Sequence, residues 1–249
     1  MAISIGLLAL LSATAGFAIG AIGIGGILLV SGLIYVGGMA PAAAIAVSMM
    51  GYILTGVIGT AVYARRQSIA WPLAGWLSIG ALPGALAGAW LSNVAAPAIL
   101  ELAIALLTLA AGIHALANRL SGETGTPRSS QLVAIGVATG CGSALTGTGG
   151  PLILVPTLLW LGTPALTAIG LSQVIQIPIG ILATIGNSVF GALDPVLGAT
   201  VAVGLAVGSY AGAHAVHHLP REQLRSLVAC VLVLVGVAIA VRVAYRSLA

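Results

Sequence analysis

The chain contains no lysine and few charged residues of either sign. Its 249 residues include eight basic residues, all arginine, and four acidic residues, so that 5% are charged while 60% are hydrophobic. The mean hydropathy is +1.20. A water-soluble domain of this length could not cover its surface with so few charges, whereas a domain surrounded by lipid needs almost none. The composition therefore predicts an all-α polytopic membrane protein.

Several functional classes lack the residues that they need. The arginines occur singly or in pairs beside apolar segments rather than on one basic face, so we predict no nucleic acid partner. The two cysteines, Cys141 and Cys230, lie in apolar segments without zinc-type or CxxC spacing. No P-loop, Rossmann fingerprint or nucleophile elbow is present. We therefore predict no enzyme activity, no catalytic residue, no metal site and no cofactor.

Glycine is abundant and interrupts two apolar segments. The first segment runs from about Ile3 to Val36, longer than the roughly 20 residues that span a bilayer. It has no basic start, which favours a retained segment over a cleaved signal peptide. Residues 23–26 (Gly-Ile-Gly-Gly) divide it, and residues 147–151 (Gly-Thr-Gly-Gly-Pro) divide the equivalent segment of the second half. Three glycines within four residues end a helix.

Proline marks most of the other predicted helix starts, because its missing N–H costs nothing in a first turn. Thr163 and Asp194 are the predicted caps of two of these helices. We divide the chain into an N-terminal transmembrane repeat (1–118), a polar linker (119–131) and a C-terminal transmembrane repeat (132–249). The predicted helices comprise residues 3–22, 27–36, 41–64, 72–92, 97–118, 132–145, 151–161, 164 onward, 195 onward and 222–245.

The two halves are copies of one unit of about four helical segments. Adding 124 to a residue number superposes glycines along the whole chain, as internal duplication requires. The matched pairs include Gly16 and Gly140, Gly23 and Gly147, Gly25 and Gly149, Gly26 and Gly150, Gly56 and Gly180, Gly80 and Gly204, Gly84 and Gly208, and Gly112 and Gly236.

Helix length, rather than charge, distinguishes parallel from inverted repeats in this sequence. With the Arg65–Arg66 loop inside, parallel and inverted arrangements both place six arginines inside, so the charge count is tied. The predicted helices at 132–145 and 151–161 would be roughly 21 and 16 Å long, against a hydrocarbon core of about 30 Å. They would then form a re-entrant hairpin that adds no crossing. We therefore predict two inverted repeats, each with a broken, re-entrant first helix.

The two breaks are the candidate site. Backbone groups that lose their helical partners are tolerated in a membrane only where they face protein or water, and the N-terminus of the helix after each break attracts an anion. Close helix packing is the alternative role of these glycines. The candidate residues at the breaks are Gly25, Gly26, Thr146, Thr148, Gly149 and Gly150.

Small or polar residues follow one face of two equivalent helices, and we predict that this stripe lines a pathway. Spacings of four, four, four and three residues place them on one face. The alternative is hydrogen bonding within the helix bundle. These residues are Ser48, Tyr52, Gly56, Thr60 and Tyr63 in the first half and Ser172, Gln176, Gly180, Thr184 and Asn187 in the second; the site is predicted to take Ser48, Tyr52, Ser172 and Gln176, with neighbouring Gln173.

Ionisable groups are scarce along the predicted helices. Glu101 lies near a predicted helix end, where it could reach the interface. His217 and His218 lie beside a proline and an arginine, which indicates a solvated helix end, whereas His114 and His214 have no obvious carboxylate partner. Trp71, Trp160, Tyr35, Tyr63 and Tyr245 fall near helix ends, as an interfacial belt requires.

The motifs resemble those of the TauE/SafE sulfite exporter family over nearly the whole chain. Gly16-Phe17 leads to the first break and then to Gly38-Met39-Ala40-Pro41, and the second break leads through Thr163-Pro164 to Ser172. The resemblance implies transport of small sulfur-containing anions such as sulfite, sulfoacetate or another organosulfonate.

The functional prediction combines the breaks with this resemblance. It is a secondary transporter in the bacterial inner membrane that binds a small sulfur-containing anion near the midplane, between the two breaks, and works by alternating access. A passive anion channel and a non-transporting membrane scaffold or assembly protein are the alternatives. The predicted partners are the anion and the lipid bilayer, and homo-oligomer formation and proton coupling are left open.

Overall fold

A computed structural model describes residues 5–91, 109, 113, 128–189 and 193–248. Short turns connect helices throughout these residues, and they contain no strand. The predicted helix 97–118 falls outside the described residues except for Leu109 and Ile113, which are helical. Glu101, His114 and most of the predicted linker also lie outside them.

The described residues form an all-helical membrane protein, as predicted. Four of the helices, α3, α4, α7 and α8, are long and apolar enough to cross a membrane. The helices are α1 (Ile5–Ile22), α2 (Gly26–Tyr35), α3 (Pro41–Arg65), α4 (Trp71–Leu91), α5 (Ser129–Thr146), α6 (Pro151–Trp160), α7 (Ala165–Val189), α8 (Pro195–Val216) and α9 (Arg221–Leu248).

Side-chain and backbone hydrogen bonds correct two predicted helix starts. α5 begins three residues before Leu132, because the backbone N–H of Arg128 donates to Gln131 Oε1 at 2.9 Å and draws Gln131 into the first turn. The helix has 18 residues, so its length is about 27 Å and is no longer an argument for re-entry. Thr163 does not start the next helix; its N–H donates to Leu158 O at 2.8 Å and closes the preceding turn.

The cap predicted for α8 is present. Asp194 Oδ1 accepts hydrogen bonds from the N–H groups of Val196 and Leu197 at 3.0 and 3.1 Å. A carboxylate at this place satisfies two N–H groups that the helix itself leaves unbonded.

The helix boundaries recur with the same offset of 124 as the glycines. Adding 124 converts Ile5–Ile22 into Ser129–Thr146 and Pro41–Arg65 into Ala165–Val189. The packing recurs as well: α1 packs on α8 as α5 packs on α4, and α3 packs on α8 as α7 packs on α4. The described helices of the two halves therefore correspond in extent and in packing.

Equivalent helices α3 and α7 pack against each other in antiparallel directions. A Cβ atom placed on Gly56 would lie 2.9 Å from Ile177 Cγ1, and one placed on Gly180 would lie 3.0 Å from Ile53 Cγ1. Adding 124 to the residue numbers of Gly56 and Ile53 gives Gly180 and Ile177, so each contact is the counterpart of the other. The interface is therefore twofold symmetric, and its glycines allow the backbones to approach closely.

Two further helix pairs, α4 with α5 and α1 with α8, pack with their helices parallel. In α4 and α5, the Cβ position of Gly84 overlaps the Val137 carbonyl oxygen, and one turn later that of Gly88 overlaps the Cys141 carbonyl oxygen. α1 and α8 pack in the same way. Glycine is required where two helix backbones touch.

Replacing Gly84 with alanine should separate α4 from α5. The added methyl group would collide with backbone, so we expect the free energy of unfolding to fall by about 1–3 kcal/mol. Gly75, in the same helix, has no atom within 4 Å of its Cβ position. Gly75→Ala is the matched control and should be neutral or slightly stabilising. Thermal unfolding in detergent compares the two, and equal midpoints would contradict the packing role of Gly84.

Candidate anion site at the two helix breaks

The two helix breaks meet inside the protein, although they are 124 residues apart in the chain. The Cβ position of Gly26 overlaps the Thr148 carbonyl oxygen, and that of Gly23 lies 3.2 Å from Pro151 Cβ. We refer to residues 23–26 as the first tip and to residues 147–150 as the second tip. Their meeting place is the junction.

Each tip is the turn of a helical hairpin. α2 folds back along α1, because a Cβ atom on Gly32 would lie 2.6 Å from the Leu11 side chain while Gly25 packs on Ala15. In the second hairpin, Gly142 of α5 packs against Ile153 of α6 in the corresponding way. α2 and α6 have 10 residues each, which corresponds to about 15 Å.

The two tips differ in backbone conformation. Gly147, Gly149 and Gly150 have φ of 71°, 80° and 103°, a region that side chains with a Cβ rarely adopt. In the first tip Gly23 has a φ of 77°, but Gly25, the counterpart of Gly149, has a φ of −132°. Only the second tip therefore depends on three left-handed glycines.

Several backbone N–H groups at the two tips and in the first turns that follow them have no backbone acceptor among the described residues. The N–H groups of Gly23 and Gly147 still bond to Ile19 O and Ser143 O at 2.9 Å, which closes the last turn of α1 and of α5. α2 begins at Gly26, the last residue of the first tip, and α6 begins directly after the second tip, so the positive ends of two helix dipoles are added there. The N–H groups without a backbone acceptor are those of Ile24, Gly25, Gly26, Ile27 and Leu28 and those of Thr148, Gly149, Gly150 and Leu152.

Tyr52 connects the two tips. Its hydroxyl donates to Gly26 O at 3.1 Å, and its Cδ2 lies 2.8 Å from the Cβ position of Gly149. Ser48, one turn earlier on α3, is fully buried, and its hydroxyl has no hydrogen-bond partner among the described residues.

Gln176 is the polar side chain at the junction whose bonding is least complete. It is fully buried, and neither Nε2 nor Oε1 has a hydrogen-bond partner within the described part of the chain. Nε2 lies 3.0 Å from the Cβ position of Gly149. A buried amide without a partner is unfavourable, so a ligand that bonds to it would relieve that cost.

Ser172 and Gln173 each donate a hydrogen bond to the backbone, although Gln173 Oε1 has no partner among the described residues. Ser172 Oγ donates to Ile169 O at 2.7 Å and also lies 3.4 Å from the Cβ position of Gly23. Gln173 Nε2 donates to Ile19 O at 2.9 Å, in the last turn of α1. Gln173 therefore holds a helix end, a role that its place beside Gln176 in the sequence did not indicate.

The hydroxyls predicted at the second tip bond to each other. Thr146 Oγ1 lies 2.9 Å from Thr148 Oγ1 and donates to Gly142 O at 2.7 Å. Gly26, Tyr52, Thr148, Gly149 and Gln176 thus come together at the junction. Gly25 packs on α1 instead, and its contribution is its backbone.

Two residues near the tips were not predicted for the site. Thr139 is fully buried without a hydrogen-bond partner in the described regions, and its methyl carbon lies 3.6 Å from the Cβ position of Gly150. The spacing of four between Thr139, Ser143 and Gly147 is the signal that could have identified it. Tyr63 is not interfacial as predicted, because it is fully buried and its hydroxyl donates to Gly20 O at 2.9 Å.

The histidines at the end of α8 are only partly solvated. His218 is exposed, as predicted, but His217 is half-buried and its ring packs edge-on against Tyr63 with centroids 4.7 Å apart. Its Nδ1–H donates to Ala213 O, and its Nε2 lies 3.3 Å from Ser68 Oγ. Burial lowers the pKa of His217 below its usual value, and the nearby positive Arg66 lowers it further against the raising effect of the Ala213 bond.

A comparison with protein families agrees with this architecture. The family model described as "Sulfite exporter TauE/SafE" matches residues 8–239. The chain belongs to the TauE/SafE family. The match includes both tips, so the resemblance read from the glycine breaks is confirmed. No curated protein and no solved structure matches the chain. TauE/SafE proteins are transporters, and together with the four spanning helices this assigns the chain to transmembrane transport.

Two glutamines of this TauE/SafE protein should respond oppositely to replacement with leucine. Gln176→Leu removes an unpartnered buried amide, so we expect the free energy of unfolding to rise by about 1–3 kcal/mol. Gln173→Leu removes the bond to Ile19 O together with the unpartnered Oε1; the second effect offsets part of the first, so we expect the free energy of unfolding to fall by at most about 1 kcal/mol. Thermal unfolding in detergent without added anion measures both. If Gln176→Leu lowered the free energy of unfolding as much as Gln173→Leu, the Gln176 amide would already have hydrogen-bond partners, and the prediction would be wrong.

Proposed function

We propose that this protein is a secondary transporter that binds a small sulfur-containing anion at the junction and moves it by alternating access. Sulfite, sulfoacetate and related organosulfonates are the proposed substrates. The observation that supports this most directly is the contact between the two tips, where N–H groups without backbone acceptors lie beside the unpartnered Gln176. The oxygens of a sulfite or sulfonate group can accept several N–H bonds at once.

The proposed site binds an anion without a cationic side chain. Among the described residues that form the junction, none carries a charge. The N-termini of α2 and α6 supply partial positive charge there, and its effect is larger in an interior of low dielectric constant than in water. A site of this kind attracts an anion weakly enough to release it on the other side.

We propose further that the two halves are inverted and that their hairpins enter from opposite faces. The antiparallel packing of equivalent helices α3 and α7 supports this, because a helix that crosses upward and its counterpart that crosses downward are related by an axis in the membrane plane. α2 and α6, each about 15 Å long, would reach about halfway across a core of about 30 Å. The junction would then lie near the midplane.

The proposal includes the surroundings of the protein. The chain would lie in the inner membrane of a bacterium, with lipid around the spanning helices and the anion as its small-molecule partner. It would bind no nucleic acid and no cofactor, and it would catalyse no chemical reaction, in agreement with a family made up of transporters.

A bulky residue at the second tip should abolish transport. Gly149→Leu would force a side chain onto Tyr52, and Gly150→Leu would place one at a φ of 103°. We expect uptake of sulfite and sulfoacetate into proteoliposomes to fall to background while the protein elutes as a single folded species. Gly75→Ala, far from any neighbour, is the control with normal flux. Unchanged flux in either leucine variant would contradict the proposal.

Anion-dependent stabilisation should identify the substrate and separate the alternatives. Thermal unfolding is measured with sulfite, thiosulfate, sulfate, sulfoacetate and acetate. A bound substrate at 100 times its Kd should add about 2.7 kcal/mol of stability, and Gln176→Leu should reduce that gain. A scaffold protein would respond to none of the five anions. A passive channel would respond but would carry a conductive current that a transporter lacks.

A further inference from the structure

We infer that the two tips are unequal halves of the anion site. The first tip is preformed and is held in place by Tyr63 and Gln173, which act as positioning residues. The second tip becomes ordered only when the anion binds and engages Gln176. The inference rests on the proposed function, since it assumes an anion at the junction.

Hydrogen bonds from α3 and α7 hold the first hairpin near its turn. Tyr63 donates to Gly20 O at 2.9 Å and Gln173 donates to Ile19 O at 2.9 Å, both in the last turn of α1. Both donors are fully buried. Water does not compete for such bonds in an interior, so each should favour the closed turn by about tenfold.

The same Ile19 carbonyl links these bonds to the tip itself. It accepts the Gly23 N–H at 2.9 Å as well as the Gln173 amide. Unwinding the last turn of α1 would therefore break the bond of Gly23 and disturb those of Gln173 and Tyr63 together. The first tip should open as one unit, and rarely.

The second tip lacks the corresponding bonds. The counterparts of Tyr63 and Gln173 under the offset of 124 are Asn187 and Met49, and neither makes a side-chain bond to the second hairpin in the described part of the structure. The hydrogen bonds of Thr146 and Thr148 stay within that hairpin.

Tyr52 and Gln176 show the same inequality at the junction. Tyr52 donates to Gly26 O at 3.1 Å, whereas its counterpart Gln176 has no partner among the described residues, on either amide atom. A tip with three left-handed glycines and an unpartnered amide beside it has weak preference for one conformation. An anion that accepts from Gln176 and from the N–H groups of the tip would supply that preference.

Hydrogen exchange at two equivalent amides tests the inference without relying on transport. Gly23 and Gly147 occupy matching positions, and each N–H bonds to the carbonyl four residues earlier at 2.9 Å. In the protein without anion, in lipid nanodiscs, we expect Gly147 to exchange about 100-fold faster than Gly23, because two additional bonds hold the first turn. Equal exchange at the two amides would overturn the inference.

Conservative variants assign the difference to the positioning residues. Tyr63→Phe and Gln173→Met, the latter copying the residue of the first half, should each raise exchange at Gly23 about tenfold and leave Gly147 unchanged. Asn187→Ala is the matched control and should change neither amide. A rise at both tips and in α4 alike would mean a general loss of stability and would contradict a positioning role.

Addition of sulfite or sulfoacetate tests the second tip. At saturating anion, exchange at Gly147 should slow while exchange at Gly23 changes little, and Gln176→Leu should remove the slowing. If neither anion slows exchange at either tip, the proposed function fails, although the contrast in the protein without anion would still support the positioning role. Slowing at Gly23 alone would overturn the assignment of the two halves.

Discussion

The fold depends on one constraint, which is that a broken helix leaves backbone N–H and C=O groups that lipid cannot satisfy. Such groups are tolerated at membrane depth only when protein or water surrounds them. The two tips meet this requirement by lying against each other, with Tyr52 of α3 and Gln176 of α7 beside them. The close crossing of α3 and α7 follows, because a bulkier residue than Gly56 or Gly180 would hold these side chains away from the junction.

Much of this arrangement could be predicted from sequence, because the signals are local. Proline starts, glycine breaks and the offset of 124 depend on the conformational limits of single residues, and they located the described helices to within about three residues. An error of three residues at the start of α5 arose where Gln131 caps the turn behind it. Such a bond adds helix to a stretch whose composition resembles a loop.

The partners of individual side chains could not be predicted in the same way. Gln173 and Tyr63 were identified by their spacing along a helix, but what they bond to is decided by the end of α1, more than 40 residues away from either. Spacing indicates which residues share a face and leaves open which backbone group lies opposite. It also cannot distinguish an amide that is bonded through its nitrogen, such as Gln173, from one without a partner on either atom, such as Gln176.

At the proposed anion site, differences between matching positions would make a duplicated fold directional. Two identical tips related by a twofold axis would present the same donors from both sides and would bind an anion equally well in either orientation. Here Tyr52 corresponds to Gln176, and Gly25 to the left-handed Gly149. These differences between matching residues leave the arrangement of the helices unchanged, because they involve only side chains and the conformation of one turn. In the proposed site, the duplicated fold would supply the paired helix N-termini, and the differences at a few matching positions would supply the asymmetry that a ligand with two unlike ends requires.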